Sequence, residues 1–157
     1  MHLGHRVVLR RMREIAKKTK AESVLLTFSP HPRHVLHKDN QNMKLITTLQ
    51  EKQDLINQAG LDNLVIHEFT KKFSRIKPVN FVRDILVEQL NVHTLVIGYD
   101  HHFGRNREGS IQELTTLADL YDFNIEKIDP QYFEDVTVSS SKIRKLIEKG
   151  EMVKAKQ

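Results

Sequence analysis

The chain has 157 residues, of which 39% are hydrophobic and 29% charged, and it contains no cysteine. This length suits one domain with a substantial core, and the composition is typical of a soluble globular protein. No apolar run reaches the ~20 residues of a membrane span, and no stretch has the layout of a signal peptide. The lack of cysteine excludes disulfides and thiolate metal sites, so a cytoplasmic protein is expected.

The net charge of +5 is unevenly distributed along the chain. Residues 1–20 carry seven Lys or Arg and one acid, whereas residues 111–135 carry seven acids and one Lys. A nucleic-acid binder would more typically have one long basic face with interleaved aromatics, but aromatics are only 6% here and Trp is absent. The pattern therefore favours a small polyanion, such as a nucleotide phosphate, over nucleic acid.

Strand and helix signals alternate along the chain. Apolar periodicity predicts helices over 6–19, 47–59, 79–90, 109–121 and 140–149, and short apolar runs predict strands over 23–28, 63–68, 94–98 and 124–128. This alternation predicts an α/β fold with a parallel sheet and helices on both faces. Ligands of such folds bind beyond the carboxyl ends of the strands, which directs attention to the segments after each strand.

The first candidate segment, HLGH, precedes the first predicted helix. A helix start offers free backbone N–H groups to a phosphate, and Gly4 lets a ligand approach the backbone closely. His2 and His5 are able to donate hydrogen bonds to phosphate oxygens as charge develops in a transition state. The alternative is a pair of ordinary surface histidines at a frayed terminus.

Two further segments follow strands. In TFSPHP, two prolines flank and stiffen the turn that holds His31, although such prolines are common in plain loops. In GYDHHFGRNREG, the glycines at 98, 104 and 109 indicate a backbone folded tightly against a ligand. The adjacent histidines at 101 and 102 are poor zinc ligands, because adjacent histidines in a loop rarely chelate one ion.

The last candidate segment, VSSSKIRKL, opens the final predicted helix. One of Ser139, Ser140 and Ser141 is able to cap the helix, and the other hydroxyls are free for an anion. Lys142 and Arg144 place positive charge near the positive end of the helix dipole, a mismatch that a bound anion would offset. A serine-capped amphipathic helix with no ligand remains the alternative.

The four motifs occur in an order that resembles a known family. HxGH near the start, TFxPHP, GxDxxFG and SSxxIR together resemble the bacterial FAD synthetases, the FMN adenylyltransferase modules of bifunctional riboflavin kinase/FMN adenylyltransferases. The resemblance covers almost the whole chain and implies a Rossmann-like nucleotidyltransferase domain over 1–157. It implies that AMP is transferred from ATP to FMN, giving FAD and pyrophosphate, with Mg²⁺ as cofactor.

The resemblance also implies roles for particular residues. His2, His5 and Arg144 would be catalytic, and no metal ligand is assigned. The substrate-binding residues would be Gly4, His31, Gly98, Asp100, Phe103, Gly104, Ser139, Ser140 and Ser141.

The chain departs from the family pattern in several places. Ser141 replaces a threonine but keeps the hydroxyl, and His101 stands where an aromatic is usual. The family has a buried strand and a Phe-Asp-Gly-type segment before HxGH, and a riboflavin kinase domain after the adenylyltransferase module. The expectation is that this chain lacks both, exposes the edges of the strands beside the missing one, and has no kinase activity.

Other functions stay open at this stage. The chain could be an adenylyltransferase of the same superfamily that acts on nicotinamide mononucleotide or phosphopantetheine, or a nucleotide- or flavin-binding module without turnover. A nucleic-acid binder would require binding to random DNA or RNA with a steep salt dependence. The sequence leaves the oligomeric state and the order of substrate binding undetermined.

Overall fold

A computed structural model describes residues 1–36, 43–98, 103–105, 109–130, 132–133 and 136–156. The helices are α1 (Leu3–Thr19), α2 (Pro32–Leu36), α3 (Leu49–Gln58), α4 (Pro78–Asn80, continued as a π-helix over Phe81–Val87), α5 (Ile111–Tyr121), α6 (Ser140–Glu148) and α7 (Met152–Lys156). The strands are β1 (Val24–Ser29), β2 (Asn63–Glu68), β3 (Thr94–Gly98), β4 (Asn124–Ile128), β5 (Tyr132–Phe133) and β6 (Val136–Thr137). All four predicted strands are confirmed, with β1 shifted by one residue.

The four strands were predicted to form one parallel sheet, but they do not form one continuous hydrogen-bonded sheet. β1 pairs only with β2 and β3 pairs only with β4 among the described strands, both in parallel, so the four strands form two separate sheets. The short antiparallel pair of β5 and β6 was not predicted. The α/β class holds, because each parallel pair is joined through helices. In the described structure, β1 and β3 each have a hydrogen-bonded neighbour strand on one edge only.

A cavity of about 1330 Å³ separates the two sheets. Its lining combines the apolar face of α1, including Val8 and Met12, with residues of β1 and β3 such as Leu26 and Val96. The carbonyl of residue 23 accepts from the amide of residue 63, and that of residue 93 accepts from the amide of residue 124. Because bonding alternates along parallel strands, the even-numbered backbone groups of β1 and β3 point away from their partners, toward this cavity.

The largest buried cluster covers the β3–β4 sheet. Val82 on α4 and Leu114 on α5 are almost completely inaccessible, and they meet Ile97 of β3 and Phe123 before β4. Truncating such a side chain typically costs ~2–5 kcal/mol of folding free energy. This well-packed half fixes the end of β3, at Gly98, in space.

Helix α1 starts earlier than predicted, at Leu3 rather than at residue 6. Gly4 and His5 therefore lie in the first helical turn, and His2 is the N-cap residue without a side-chain cap hydrogen bond. No acidic side chain stands in this turn to offset the positive end of the helix dipole. By contrast, α3 begins with a complete capping box between Thr48 and Glu51.

Candidate nucleotide-binding site

The two histidines of HLGH form a stacked pair at the start of α1. The ring centroids of His2 and His5 are 3.7 Å apart with an interplanar angle of 25°. Gly4 leaves room for this stacking, because a Cβ at that position would lie 3.2 Å from Cε1 and 3.3 Å from Nδ1 of His2, a tight contact that the ring could relieve only by moving. We expected Gly4 to let a ligand approach the backbone. In the structure it is the His2 ring that lies beside Gly4.

Both stacked rings favour the neutral state. Loss of hydration, followed by the positive charges of His2, the chain's amino terminus and Lys52, lowers the pKa of His5. The His5 residue as a whole is exposed, so its ring loses water chiefly on the face that stacks on His2. Partial burial and the terminal ammonium also lower the pKa of His2, whose Nδ1 is buried without a hydrogen-bond partner in the described structure. An imidazole that is neutral and incompletely satisfied is well suited to contact an added ligand atom.

His31 lies just beyond the carboxyl end of β1, after the cis peptide bond between Ser29 and Pro30. The backbone N–H of Arg33 donates to His31 Nδ1 at 3.2 Å, so the neutral ring carries its proton on Nε2. His34, whose ring centroid is 5.9 Å from that of His31, donates through Nε2 to the carbonyl of Met43 at 3.0 Å. His31 Nε2–H thus remains as a donor for a ligand.

The electrostatic environment of His31 is strongly positive. Partial burial and then the positive charge of Arg144 lower its pKa to about 4, with smaller contributions from His34, Arg33 and Lys52. Arg144 of α6 and His34 of α2 also bond to the adjacent carbonyls of Lys44 and Met43, so α6 lies near the segment that follows β1. Such a concentration of positive charge is typical of a site for phosphate.

The serines of the last motif surround the start of α6. Ser139 is the N-cap residue, and its hydroxyl accepts from the backbone N–H of Lys142 at 3.4 Å. Ser140 and Ser141 are the first two helical residues, with Ser141 exposed. Arg144 donates through Nε to the carbonyl of Lys44 at 3.0 Å, which fixes its stem while leaving terminal guanidinium nitrogens for a ligand.

Lys52 was missed by sequence reasoning. This half-buried residue of α3 donates through Nζ to the hydroxyl of Thr27, a buried residue of β1. Its charge acts on both His5 and His31. The sequence offered no signal, because a lysine in an amphipathic helix is usually a solvated surface residue.

The predicted glycine loop is only partly described. Gly98 ends β3, and a Cβ there would meet no atom within 4 Å, so the space beside it is open. Gly104 has a φ of +70° and packs against Pro78, while Phe103 belongs to the buried cluster. Packing explains these two residues, and their role in binding stays a prediction. Asp100 lies outside the described residues.

The described ranges contain no group of three His, Asp or Glu side chains close enough to hold a metal ion. The same part of the chain contains no helix long and apolar enough to cross a membrane.

Comparison with known proteins decides the family. A family model described as FAD synthetase matches residues 1–142. The chain belongs to the FAD synthetase family. It is 34% identical over 157 residues to the bifunctional riboflavin kinase/FMN adenylyltransferase of Listeria monocytogenes, covering 100% of this chain and 49% of that protein. It is also 27% identical to a FAD synthetase of the same organism, covering 63% of that protein. The chain thus spans about half the length of the bifunctional relative.

A solved structure shares the fold of this FAD synthetase family chain. The crystal structure reported for a macrolide-efflux protein from Streptococcus pneumoniae superposes with a TM-score of 0.80 at 23% identity. The match covers 93% of this chain and 48% of that one. At this level of identity the comparison shows a common fold and nothing about activity.

Proposed function

We propose that this chain transfers AMP from ATP to FMN, producing FAD and pyrophosphate. The observation that carries the proposal is the convergence of four nitrogen donors, His5, His31, Lys52 and Arg144, on one positively charged region of a FAD synthetase family chain. Two anionic substrates must meet in this reaction, so neutralising and orienting phosphates is the main task of the protein.

The reaction needs no covalent enzyme intermediate. A phosphate oxygen of FMN attacks the α-phosphorus of ATP, a new P–O–P bond forms, and the bond between the α-phosphorus and the bridging oxygen to the β-phosphate breaks. Pyrophosphate leaves with that oxygen. In this scheme His31 donates from Nε2, the His2–His5 pair contacts the phosphates at the start of α1, and Arg144 holds the leaving pyrophosphate. The serines at the start of α6 donate hydrogen bonds.

Mg²⁺ belongs to the proposal through its chemistry with ATP. The metal commonly keeps several waters and binds substrate phosphates with only one or two protein carboxylates. When bound to the triphosphate, the ion would neutralise phosphate charge. We further propose a cytoplasmic location and no nucleic-acid partner, on the basis of the cysteine-free composition and the divided basic segments.

Incubation of the purified protein with ATP, FMN and Mg²⁺ tests the activity. We expect FAD and pyrophosphate in equal amounts by chromatography and a coupled phosphate assay. A His5→Asn variant should lose most of this rate while retaining the circular dichroism spectrum of the parent. Product formation with nicotinamide mononucleotide or phosphopantetheine, and none with FMN, would instead favour a different adenylyltransferase.

We also propose that the two sheets are halves of one Rossmann-like parallel sheet, completed by an apolar strand that leads into Met1. Two observations support this occupant. The cavity lies between the free edges of β1 and β3 and is largely apolar. Lys52, whose charge acts on both His5 and His31, is held on Thr27 near the carboxyl end of β1, which supports a start of α1 beside that edge. A parallel strand in the cavity would end at that same edge, beside Met1.

Extension of the chain at Met1 by an apolar strand and a Phe-Asp-Gly turn tests this completed sheet. We expect the extended protein to unfold at a higher temperature and to synthesise FAD faster than the parent chain. A matched extension whose strand residues are replaced by Ser and Asp is the control. Equal stability of the two extended proteins would refute the proposal. If the parent chain binds ATP without turnover and the extended protein makes FAD, the parent chain is a nucleotide-binding module that requires the strand for catalysis.

A further inference from the structure

Lys52 is a cation drawn inward from the first turn of α3. Its residue is half-buried, and its ammonium donates to the hydroxyl of Thr27, which is 8% exposed. Partial burial lowers the pKa of this ammonium. Lysine usually extends to solvent when it is free to do so, because removing the charge from water is costly. A lysine directed onto a strand of the sheet therefore needs a compensating partner.

No such partner is present among the described carboxylates, none of which forms an ion pair with Lys52. The acids closest in sequence are otherwise engaged. Glu51 accepts from the backbone N–H and the hydroxyl of Thr48 in the capping box. Asp54 accepts from the side-chain amide of Gln50 at 3.0 Å.

The groups around Lys52 are positive or neutral donors. Its charge acts on His5 from α1 and on His31 from the end of β1, and Arg144 from α6 acts on the same His31. Lys52 thus belongs to a group contributed by α1, α3, α6 and the segment after β1. An anion that enters this group would offset the charges of Lys52 and Arg144 and would accept hydrogen bonds from the neutral imidazoles.

We propose that Lys52 is a phosphate-binding residue of this site, held by Thr27 to contact the triphosphate of ATP. The inference rests on the proposed adenylyl transfer and adds a residue to it. Thr27 acts as a positioning residue, because its hydroxyl accepts one ammonium hydrogen and leaves the other two for the phosphate.

Isothermal titration of the full chain with sodium tripolyphosphate and, separately, with adenosine tests Lys52 without turnover. Lys52→Met keeps the aliphatic stem and removes the charge. We expect its Kd for tripolyphosphate to rise about ten- to a hundredfold, the range for losing charged hydrogen bonds. Its Kd for adenosine should remain unchanged, because adenosine carries no phosphate. Lys52→Arg keeps the charge and should bind tripolyphosphate more tightly than Lys52→Met.

Lys18→Met is the matched control, because it removes a lysine charge at the end of α1 that is far from His5. Lys18 lies about 20 Å along the helix axis from His5, beyond the range of screened electrostatic interactions. Its tripolyphosphate Kd should therefore stay within about twofold of the parent value. Equal Kd values for Lys52→Met and the parent overturn the Lys52 proposal, even if the parent makes FAD. Loss of tripolyphosphate affinity in Lys52→Met, combined with no FAD from the parent, supports the Lys52 site and overturns the proposed reaction.

Discussion

At the scale of single residues, the first motif works through the contact between two rings. Gly4 is useful because it has no Cβ to displace His2 from His5. The sequence singled out these three residues as site candidates, and their role in the reaction stays a prediction. It could not reveal the stacking, which depends on α1 starting at Leu3.

Gly4→Ala separates the contact from helix stability. Alanine in a helix is more favourable than glycine by roughly 0.5–1 kcal/mol, so the variant should be at least as stable as the parent. The new Cβ should nevertheless shift the His2 ring against His5 and lower kcat/KM for FAD synthesis by up to about tenfold, as for a misplaced catalytic group. Thermal unfolding and steady-state kinetics measure the two effects. Unchanged kinetics would mean that the stacked arrangement is not the one used in the reaction.

The pH dependence of stability follows from the neutral imidazoles. His31 has a pKa of about 4 when folded, below its ordinary value of 6.5. The unfolded chain therefore binds more protons between these values, and the free energy of unfolding falls as the pH drops from about 6.5 to 4. His2 and His5, whose pKa values are also lowered, act in the same direction. Urea unfolding at pH 7 and pH 5 measures this loss.

The variant His31→Gln should lose less stability than the parent over that pH interval, since it has one fewer histidine whose pKa is lowered by folding. A control change at the exposed His93, which lies outside the site, should leave the loss as large as in the parent. An equal loss in all three proteins would contradict the assignment of a neutral His31.

At the scale of elements, local sequence patterns located the four core strands and the long helices but missed other features. The apolar positions 82, 85, 86 and 90 predicted a helix, yet they fit both α and π spacing, so the π-helix over Phe81–Val87 was not foreseeable. The short α2, α7 and the β5–β6 pair are too brief to produce a periodic signal. Lys52 was missed because helical periodicity says only that a polar residue avoids the apolar face.

The loop after β3 combines a backbone requirement with close packing. Gly104 has a φ of +70°, and a Cβ there would lie 2.8 Å from Cγ and 3.0 Å from Cα of Pro78. Gly104→Ala should therefore destabilise the fold by about 2–4 kcal/mol, from the left-handed backbone and from the clash. Chemical denaturation measures the change.

Gly150→Ala provides the control for the backbone contribution alone. Gly150 has a φ of +75°, but a Cβ there would meet no atom within 4 Å. Its substitution should cost only about 1–2 kcal/mol, the conformational penalty without the clash. Equal costs at the two positions would show that Pro78 moves aside freely and that Gly104 is open to a ligand role.

At the scale of the whole molecule, the sequence predicted the strands but could not predict how they associate. Periodicity identifies a buried strand, while its neighbour is chosen by long-range pairing that leaves no local pattern. β1 and β3 each have one bonded edge and one edge on the cavity. The separation into two sheets therefore depends on contacts between distant parts of the chain, which local sequence patterns do not record.

Hydrogen exchange measured amide by amide should reveal these two edges. In β1 and β3, the amides of odd-numbered residues such as Leu25 and Leu95 point toward β2 and β4, because bonding alternates from the carbonyls of Ser23 and His93, which accept from the neighbouring strands. The amides of Leu26, Phe28 and Val96 face the cavity instead. We expect the cavity-facing amides to exchange faster, since the exchange-protecting bond is absent.

The same measurement on the protein extended by an apolar strand completes this test. A strand seated between β1 and β3 would accept hydrogen bonds from the cavity-facing amides, so their exchange should slow to rates near those of Leu25 and Leu95. The control extension with polar strand residues should leave the alternation intact, because it gains too little apolar burial to enter the cavity. Slow exchange of the odd- and even-numbered amides alike in the unextended chain would mean that the two edges already have partners in solution.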